Sequence, residues 1–236
     1  YYTGQLFDMK TITDAAHAAG AFAGFDLAHA AGNAELHLHD WNVDFACWCS
    51  YKYLNSGPGG LAGGYIHEQY VTNKDLPRFA GWWGYKKDTR FKMEKGFDPI
   101  PSAEGWQLSN APVLSMAEHK AALDVFEEAG WENVFAKNKM LNQYLWHVLD
   151  EVNHSFGEKG FDIITPLNEQ EHGCQISLLI TKDGKKIFEV LKKNSVIADW
   201  REPNVIRIAP VALYNSFEDV WQFVNILRNY FQSKTQ

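Results

Sequence analysis

The sequence predicts an α/β protein in its first part, with helix and strand alternating, followed by a smaller α+β part. Residues 21–27 and 43–50 are apolar runs of strand length, and each ends close to a charged side chain. Strands that are apolar on both faces are typical of a parallel sheet covered by helices. Later in the chain, helical patterns enclose a group of short strand candidates.

The first part opens with a predicted helix at residues 9–19, which ends at Gly20. The two apolar runs follow, and a third strand is predicted at 61–67 after a Gly-rich turn. We therefore expect a mainly parallel sheet. Such sheets bind ligands at the carboxyl ends of their strands, where Asp26 and Lys52 fall.

The second part begins after residues 70–112, a stretch rich in Gly, Pro, Lys and Trp with little periodicity. We predict domains at 1–100 and 101–236, with this stretch crossing between them. Ser115 and Glu118 have the spacing of a capping box that opens a helix. The remaining predictions are helices at 132–154, 185–193 and from 216 onward, and strands at 161–165, 175–181, 196–200 and 205–209.

Composition narrows the class of ligand. The 236 residues are 46% hydrophobic and carry a net charge of −7, so a general attraction to nucleic acid or an anionic membrane is not expected. The chain has an odd set of three cysteines and no apolar run of transmembrane length, which favours the cytoplasm. We expect a small-molecule ligand.

Asp26 and Lys52 form the leading candidate site. A lysine in a poorly solvated position can lose its proton and attack a carbonyl, and an aspartate can bind a cationic nitrogen. Pyridoxal phosphate requires both groups. The spacing of Asp26 and Lys52 alone is also compatible with a solvated pair that has no function.

Two other patterns are weaker candidates. A metal site is conceivable at His29, His37, His39 and Asp40 with Cys47 and Cys49, although the cysteines are separated by one residue, where zinc pairs usually have two or more. Residues 57–64 are Gly-rich but match neither common phosphate-binding pattern, so a tight turn is the simpler interpretation.

The order of the motifs resembles the kynureninase family across essentially the whole chain. The resemblance is carried by Phe25-Asp-Leu-Ala-His29, His39-Asp-Trp41, Phe45-Ala-Cys-Trp-Cys-Ser-Tyr-Lys52, Gly81-Trp82, Thr89-Arg-Phe-Lys-Met93, Leu108-Ser-Asn110, Gly173-Cys-Gln175 and Ile206-Arg-Ile-Ala-Pro210. It implies the lysine half of a fold-type-I pyridoxal phosphate domain and hydrolysis of the Cβ–Cγ bond of L-kynurenine or 3-hydroxykynurenine, a step of tryptophan catabolism and NAD biosynthesis.

The resemblance also implies roles for individual residues. Lys52 would bind the cofactor covalently, Asp26 would contact its pyridine nitrogen, and His29 would lie beside it. Tyr51 would bind the phosphate and is a candidate acid-base group. The remaining implied residues are Trp82 and Asn110, which complete the site across a homodimer, Arg207, which holds the substrate carboxylate, and Ser109 with Asn110, which contact the substrate ring.

One departure from the family pattern concerns the N-terminal side of the site. In this family the ring-stacking segment and the phosphate loop precede the aspartate, whereas 25 residues precede Asp26 here. We expect a C-terminal fragment that alone binds the cofactor poorly and has little activity. The alternatives are another fold-type-I enzyme, such as a cysteine desulfurase or an aminotransferase, and an inactive fragment or interaction module.

Overall fold

The computed structural model describes residues 1–156 and 160–235. The chain divides into two compact units. Residues Asp8–Val125 form one, called here the N-terminal unit, and Tyr1–Phe7 with Phe126–Gln236 form the other, called the C-terminal unit. The division predicted at residue 100 falls inside the N-terminal unit, where Gly84 donates a backbone hydrogen bond to Gln107 and accepts one from Ile100.

The N-terminal unit contains a helix and a small sheet. Its elements are α1 (Met9–Ala18), β1 (Gly24–Asp26), β2 (Phe45–Cys49) and β3 (Ala62–Ile66), followed by short 3-10 helices at Glu68–Tyr70, Arg90–Lys92 and Ala103–Trp106. Asp8 caps α1 because its Oδ1 accepts a hydrogen bond from the Thr11 N–H at 3.0 Å. The predicted helix and strands are present with shorter bounds, above all β1, which covers three of the seven residues predicted at 21–27.

The sheet of this unit is mixed, in the order β1-β2-β3, which corrects the expectation of a mainly parallel sheet. β1 and β2 are parallel, with Asp26 opposite Cys47, whereas β2 and β3 are antiparallel, with Cys49 opposite Ala62. A parallel neighbour requires a crossover that usually contains a helix. The Gly-rich connection from Ser50 to Leu61 contains no helix and returns the chain alongside β2.

The helix α2 (Val113–Ala129) leads from the N-terminal unit into the C-terminal one. It begins at Val113, two residues before the capping position predicted at Ser115. The Met116 N–H already bonds to the Pro112 carbonyl, so the helical hydrogen-bond pattern starts ahead of the serine.

The C-terminal unit packs helices on an antiparallel sheet. Its elements are α3 (Trp131–Ser155), β4 (Asp162–Ile163), β5 (Ile176–Leu179), α4 (Gly184–Lys193), β6 (Asp199–Arg201), β7 (Val205–Ile208) and α5 (Phe217–Thr235), with strand order β4-β5-β7-β6. Leu141, Leu145 and Leu149 form a buried face of α3 at the spacing expected for one side of a helix. The buried face of α5 is Val220, Phe223, Val224 and Leu227, whereas Phe217 and Trp221 are 43% and 46% exposed.

Candidate active site

Two loops meet at the carboxyl ends of β1 and β2. The first, the Asp26 loop, comprises residues 26–34, and the second, the Lys52 loop, comprises residues 50–61. The Leu27 N–H donates to the Cys47 carbonyl at 2.8 Å, so the Asp26 loop leaves β1 while still bonded to β2. The parallel pairing of these strands therefore brings Asp26 and Lys52 to one edge of the sheet, as predicted.

Ser50 joins the two ends of the Lys52 loop. Its side chain is fully buried, and both its N–H and its Oγ donate to the Leu61 carbonyl, at 3.1 and 2.5 Å. Its own carbonyl accepts the Ser56 N–H at 3.1 Å, and the Ser56 Oγ lies 2.6 Å from His119 Nδ1 of α2. Lys52 is therefore carried on a loop that is anchored at both ends.

Gly32 allows the two loops to pack closely. Its φ of +80° is in the left-handed region, and a Cβ added there would lie 2.9 Å from Leu54 Cδ2 and from the Tyr53 carbonyl oxygen. The ring of His29 lies edge-on to Tyr53, with 6.2 Å between centroids. These contacts join the Asp26 loop to the residues that directly follow Lys52.

We expect Gly32→Ala to destabilise the chain more than Gly20→Ala. Both glycines have positive φ, so either alanine costs about 1 to 2 kcal/mol of backbone strain. Only position 32 adds a clash, which costs roughly a further 1 to 3 kcal/mol because a Cβ at Gly20 has no atom within 4 Å. Urea unfolding of both variants measures the difference. Equal losses would show that the two loops do not need this close contact.

The reactive side chains of these loops are accessible. Asp26 is exposed and its Oδ1 accepts the Ala28 N–H at 2.8 Å, while Lys52 is half-buried with its Nζ 6.0 Å from the centroid of the Tyr51 ring. Tyr51 is 50% exposed. A hydrogen bond to Cys49 and the charge on that sulfur raise the pKa of Tyr51, and the Asp26 carboxylate adds to the effect. The phenol is thus kept protonated as a hydrogen-bond donor.

Trp82, Ser109 and Asn110 lie on a second closely packed part of the N-terminal unit. A Cβ on Gly81 would lie 2.2 Å from the Gln107 carbonyl oxygen and 2.3 Å from Leu108 Cα, so residues 81 and 107–108 are in direct backbone contact. Trp82 is 44% exposed, and Ser109 and Asn110 are exposed. The structure therefore places these predicted residues near one another on accessible surface.

Arg90 supports the segment that carries Trp82. The Arg90 side chain is buried, and its Nη2 donates to the carbonyls of Trp83 and Tyr85 at 3.0 and 2.8 Å. Its guanidinium carbon lies 5.9 Å from the centroid of the Trp82 ring. Arg90 belongs to the motif Thr89-Arg-Phe-Lys-Met93, and its supporting role becomes visible only in the fold.

Arg207 belongs to the C-terminal unit and is already engaged by protein groups. It lies on β7 opposite Asp199 of β6. Its Nε donates to Asp199 Oδ2 at 2.5 Å, its Nη2 contacts the same oxygen, and its Nη1 donates to the Tyr1 carbonyl at 2.7 Å. A substrate carboxylate at Arg207 would therefore compete with Asp199 for the guanidinium.

The residues considered as metal ligands do not converge. His39 stacks on His67 with 4.9 Å between ring centroids, whereas the ring of His37 packs edge-on to Trp41. A hydrogen bond to the exposed Glu68 raises the pKa of His39. Over residues 1–156 and 160–235, no three His, Cys, Asp or Glu side chains are grouped so that they could hold a metal ion.

Asp44 is a buried carboxylate that sequence reasoning missed. It is 2% exposed and accepts hydrogen bonds from the Ala23 N–H and the Tyr70 hydroxyl, both at 2.5 Å, and it lies 2.9 Å from His17 Nε2. Burial acts to raise its pKa, but the hydrogen bonds from Tyr70, Ala23 and His17 outweigh burial and lower it. Burial and the bond to Asp44 raise the pKa of Tyr70 to about 12. The sequence signal that could have revealed this buried carboxylate is its position directly before the apolar strand β2.

The groups at the two loops fit pyridoxal phosphate in their chemistry. Lys52 provides a primary amine that forms no hydrogen bond or ion pair among the described residues, and Asp26 provides a carboxylate at the same edge of the sheet. Tyr51 provides an exposed hydroxyl donor and His29 an imidazole beside the lysine-bearing loop. These are the amine, anion and donor groups that a phosphorylated pyridine aldehyde requires.

Comparison with solved structures identifies the fold. The chain superposes on a cysteine desulfurase from Thermococcus onnurineus with a TM-score of 0.77 at 18% identity, covering 98% of this chain and 58% of that one. An alanine–glyoxylate aminotransferase from Nostoc sp. gives a TM-score of 0.68 at 18% identity, covering 96% and 58%. A variant of C-DES, with glycine linked covalently to its PLP cofactor, gives 0.73 at 16% identity, covering 98% and 57%. The chain thus has the α/β fold of the C-terminal half of fold-type-I enzymes.

In the part of the chain that the structure covers, no helix is both long and apolar enough to cross a membrane.

Sequence comparison is more specific than the fold. Residues 134–227 match the kynureninase C-terminal domain. The chain is 55% identical over 229 residues to the kynureninase of Flavobacterium psychrophilum, covering 97% of this chain and 53% of that protein. It is 47% identical over 231 residues to that of Rattus norvegicus, covering 96% and 50%. The chain, which spans about half the length of the curated relatives it matches, is therefore a kynureninase homologue.

Proposed function

We propose that the complete protein containing this chain hydrolyses the Cβ–Cγ bond of L-kynurenine or 3-hydroxy-L-kynurenine, forming L-alanine and the corresponding anthranilate. One observation carries the proposal: the Asp26 and Lys52 loops, which hold a carboxylate and an amine at one sheet edge, lie in a chain 55% identical to a kynureninase. The same reasoning proposes pyridoxal phosphate as cofactor, the cytoplasm as location and tryptophan catabolism as pathway.

Asp26 and Tyr51 would orient the cofactor in this proposal. The second oxygen of the Asp26 carboxylate would accept a hydrogen bond from the pyridine nitrogen, while Oδ1 remains bonded to Ala28. The Tyr51 hydroxyl would donate to the phosphate, and its raised pKa keeps that donor protonated above neutral pH. When bound, pyridoxal phosphate supplies an electron sink for the carbanion at the substrate Cα. His29, which packs on Tyr53, would lie beside the ring.

Lys52 would move protons at the substrate. Its amine is carried on a loop whose two ends are joined by the hydrogen bonds of Ser50 to Leu61, and from this loop it would remove the proton from Cα. Water then adds to the γ-carbonyl, and cleavage requires a proton at Cβ and a base at the hydrate oxygen. Tyr51 is our candidate for that acid-base role because its hydroxyl is accessible next to Lys52.

The accessible residues of the second packed part would complete the site in a homodimer. Trp82 and Asn110 lie on surface that a neighbouring subunit can reach, and Ser109 with Asn110 would contact the aromatic ring of the substrate. Arg207 would bind the substrate carboxylate in exchange for Asp199, to which it is paired here. A planar two-pronged donor suits either carboxylate. The pair Ser109-Asn110 leads us to propose the 3-hydroxylated substrate as the preferred one.

The test uses the complete protein supplied with pyridoxal phosphate. We expect L-kynurenine to yield fluorescent anthranilate and L-alanine in equal amounts, and borohydride reduction followed by peptide mapping to place the cofactor on Lys52. L-cysteine is the control substrate, because a desulfurase would release sulfide from it. Cys47 and Cys49 lie in β2 and Cys174 is buried, so none is displayed on a loop as a sulfur acceptor. Sulfide without anthranilate, or a label on another lysine, would contradict the proposal.

A further inference from the structure

The first half of the Lys52 loop, residues 50–56, is a turn held by backbone hydrogen bonds. The Ser56 N–H donates to the Ser50 carbonyl at 3.1 Å. Within the turn, the Asn55 N–H donates to the Lys52 carbonyl at 3.0 Å. Asn55 has a φ of +58°, in the left-handed region that asparagine adopts more readily than most residues. The backbone of Lys52 is therefore fixed by bonds that come from the last two residues of the turn.

The side chain of Ser56 is tightly packed where the turn ends. Ser56 is 5% exposed, and a Cβ added to Gly60 would lie 2.8 Å from the Ser56 Cβ and 2.9 Å from the Ser50 Oγ. A hydroxyl buried in this way needs a hydrogen-bonding partner within the protein. The half-buried His119 of α2 provides one, with its Nδ1 2.6 Å from the Ser56 Oγ. A side chain from a distant part of the sequence therefore holds the residue that completes the turn.

We propose that His119 is a positioning residue for Lys52. It acts through Ser56, because the imidazole fixes the Ser56 side chain and the Ser56 N–H in turn holds the Ser50 carbonyl. A proton-transfer group is effective only while it stays within reach of the reacting atom, so a looser turn lowers the rate without removing the amine. This consequence for catalysis rests on the proposed function, whereas the restraint on the turn does not.

The imidazole allows a graded set of variants. His119→Ala removes the partner of Ser56 and cannot weaken α2 through helix propensity, because alanine is the best helix former. The amide of His119→Asn reaches the position of Nδ1, whereas the longer amide of His119→Gln reaches that of Nε2, so asparagine should rescue and glutamine should not. Ser56→Ala removes the other half of the bond. Lys120→Ala is the matched control on α2, because Lys120 is exposed and pairs with Asp124 at 2.6 Å.

The first measurement is hydrogen exchange in the complete protein without cofactor, read by mass spectrometry of its peptides. Residues 50–61 should exchange about fivefold faster in His119→Ala and in Ser56→Ala, the increase expected when one hydrogen bond that opposes local opening is lost. The double variant should exchange no faster than either single one, because both changes remove the same bond. His119→Asn should restore most of the protection, and Lys120→Ala should exchange like the parent. Unchanged exchange in α3 shows that a variant is folded, and if His119→Ala is not, His119→Asn compared with His119→Gln decides.

The second measurement is turnover of L-kynurenine by the complete protein with pyridoxal phosphate. We expect His119→Ala to lower kcat about five- to tenfold and to leave KM nearly unchanged, because the proposed substrate contacts at Ser109, Asn110 and Arg207 lie outside the turn. His119→Asn should recover most of kcat. Rates are counted per mole of borohydride-labelled Lys52, so that a loss of cofactor is not counted as a loss of turnover.

Three results would contradict the positioning role. Exchange of residues 50–61 at the parent rate in folded His119→Ala, or additive effects of His119→Ala and Ser56→Ala, would overturn the inference. Faster exchange with an unchanged kcat would also overturn it, since the turn would then be restrained without positioning Lys52. If exchange increases as expected but the parent protein itself forms no anthranilate, the restraint on the turn is supported and the proposed function fails.

Discussion

Replacing Lys52 with alanine in the complete protein is expected to lower kcat for anthranilate formation by about 10²- to 10⁴-fold, the range typical for loss of a positioned proton-transfer group. The reason is structural as well as chemical. Lys52 is half-buried on a loop whose ends are tied by the hydrogen bond from Ser50 to Leu61. Another lysine of the chain could replace its amine only if this loop moved. The cofactor label after borohydride reduction should disappear together with activity.

Two variants distinguish the chemistry of Lys52 from its charge. Lys52→Arg keeps a cation but cannot be deprotonated, so it should be as inactive as Lys52→Ala. Lys87→Ala removes an exposed lysine of the same unit, 3.8 Å from Glu104, and should leave turnover unchanged. A small primary amine added to the assay should partly restore Lys52→Ala, because it can supply the missing base. Activity of Lys52→Arg within tenfold of the parent would rule out proton transfer by this side chain.

Replacing Asp44 with alanine is expected to have the largest effect on stability. The variant removes the acceptor for the Ala23 N–H, the Tyr70 hydroxyl and His17, and leaves these groups without their partner. Breaking such a buried charged network costs about 3 to 5 kcal/mol. Urea unfolding at neutral pH, followed by circular dichroism, measures the loss. Asp14→Ala is the control, because its exposed pair with Lys10 should contribute no more than about 1 kcal/mol.

The effect of Asp44 should also depend on pH in a defined direction. Its pKa is lowered in the folded chain, so its stabilisation is complete above the ordinary carboxyl pKa of about 3.9. The stabilisation is lost as the pH falls from there through the lowered pKa of the folded state. The stability difference between the parent and Asp44→Ala should therefore narrow below about pH 4. A difference that stays constant down to acid unfolding would contradict this assignment.

Local sequence signals were sufficient to predict most helices and strands, because these elements depend mainly on residues that are neighbours in the sequence. Apolar runs predicted β1 and β2, Gly20 marked the end of α1, and helical spacing predicted α3 and α5. The same signals placed Asp26 and Lys52 at strand ends, which the parallel pairing of β1 and β2 brings to one edge. The mixed sheet was not predicted, because strand direction depends on whether the connection crosses over, and residues 50–61 do not.

The sequence by itself determined most of the chain's elements, its kynureninase resemblance and the position of the candidate pair Asp26 and Lys52 at strand ends. Tertiary structure decided which partner each polar side chain meets. Asp44 pairs with Tyr70, Arg207 with Asp199, and Cys49 with the Ala28 carbonyl. The physical reason is that burial, hydrogen bonding and shifted pKa values arise between groups that only folding brings within a few ångströms. Local propensity carries no information about such groups.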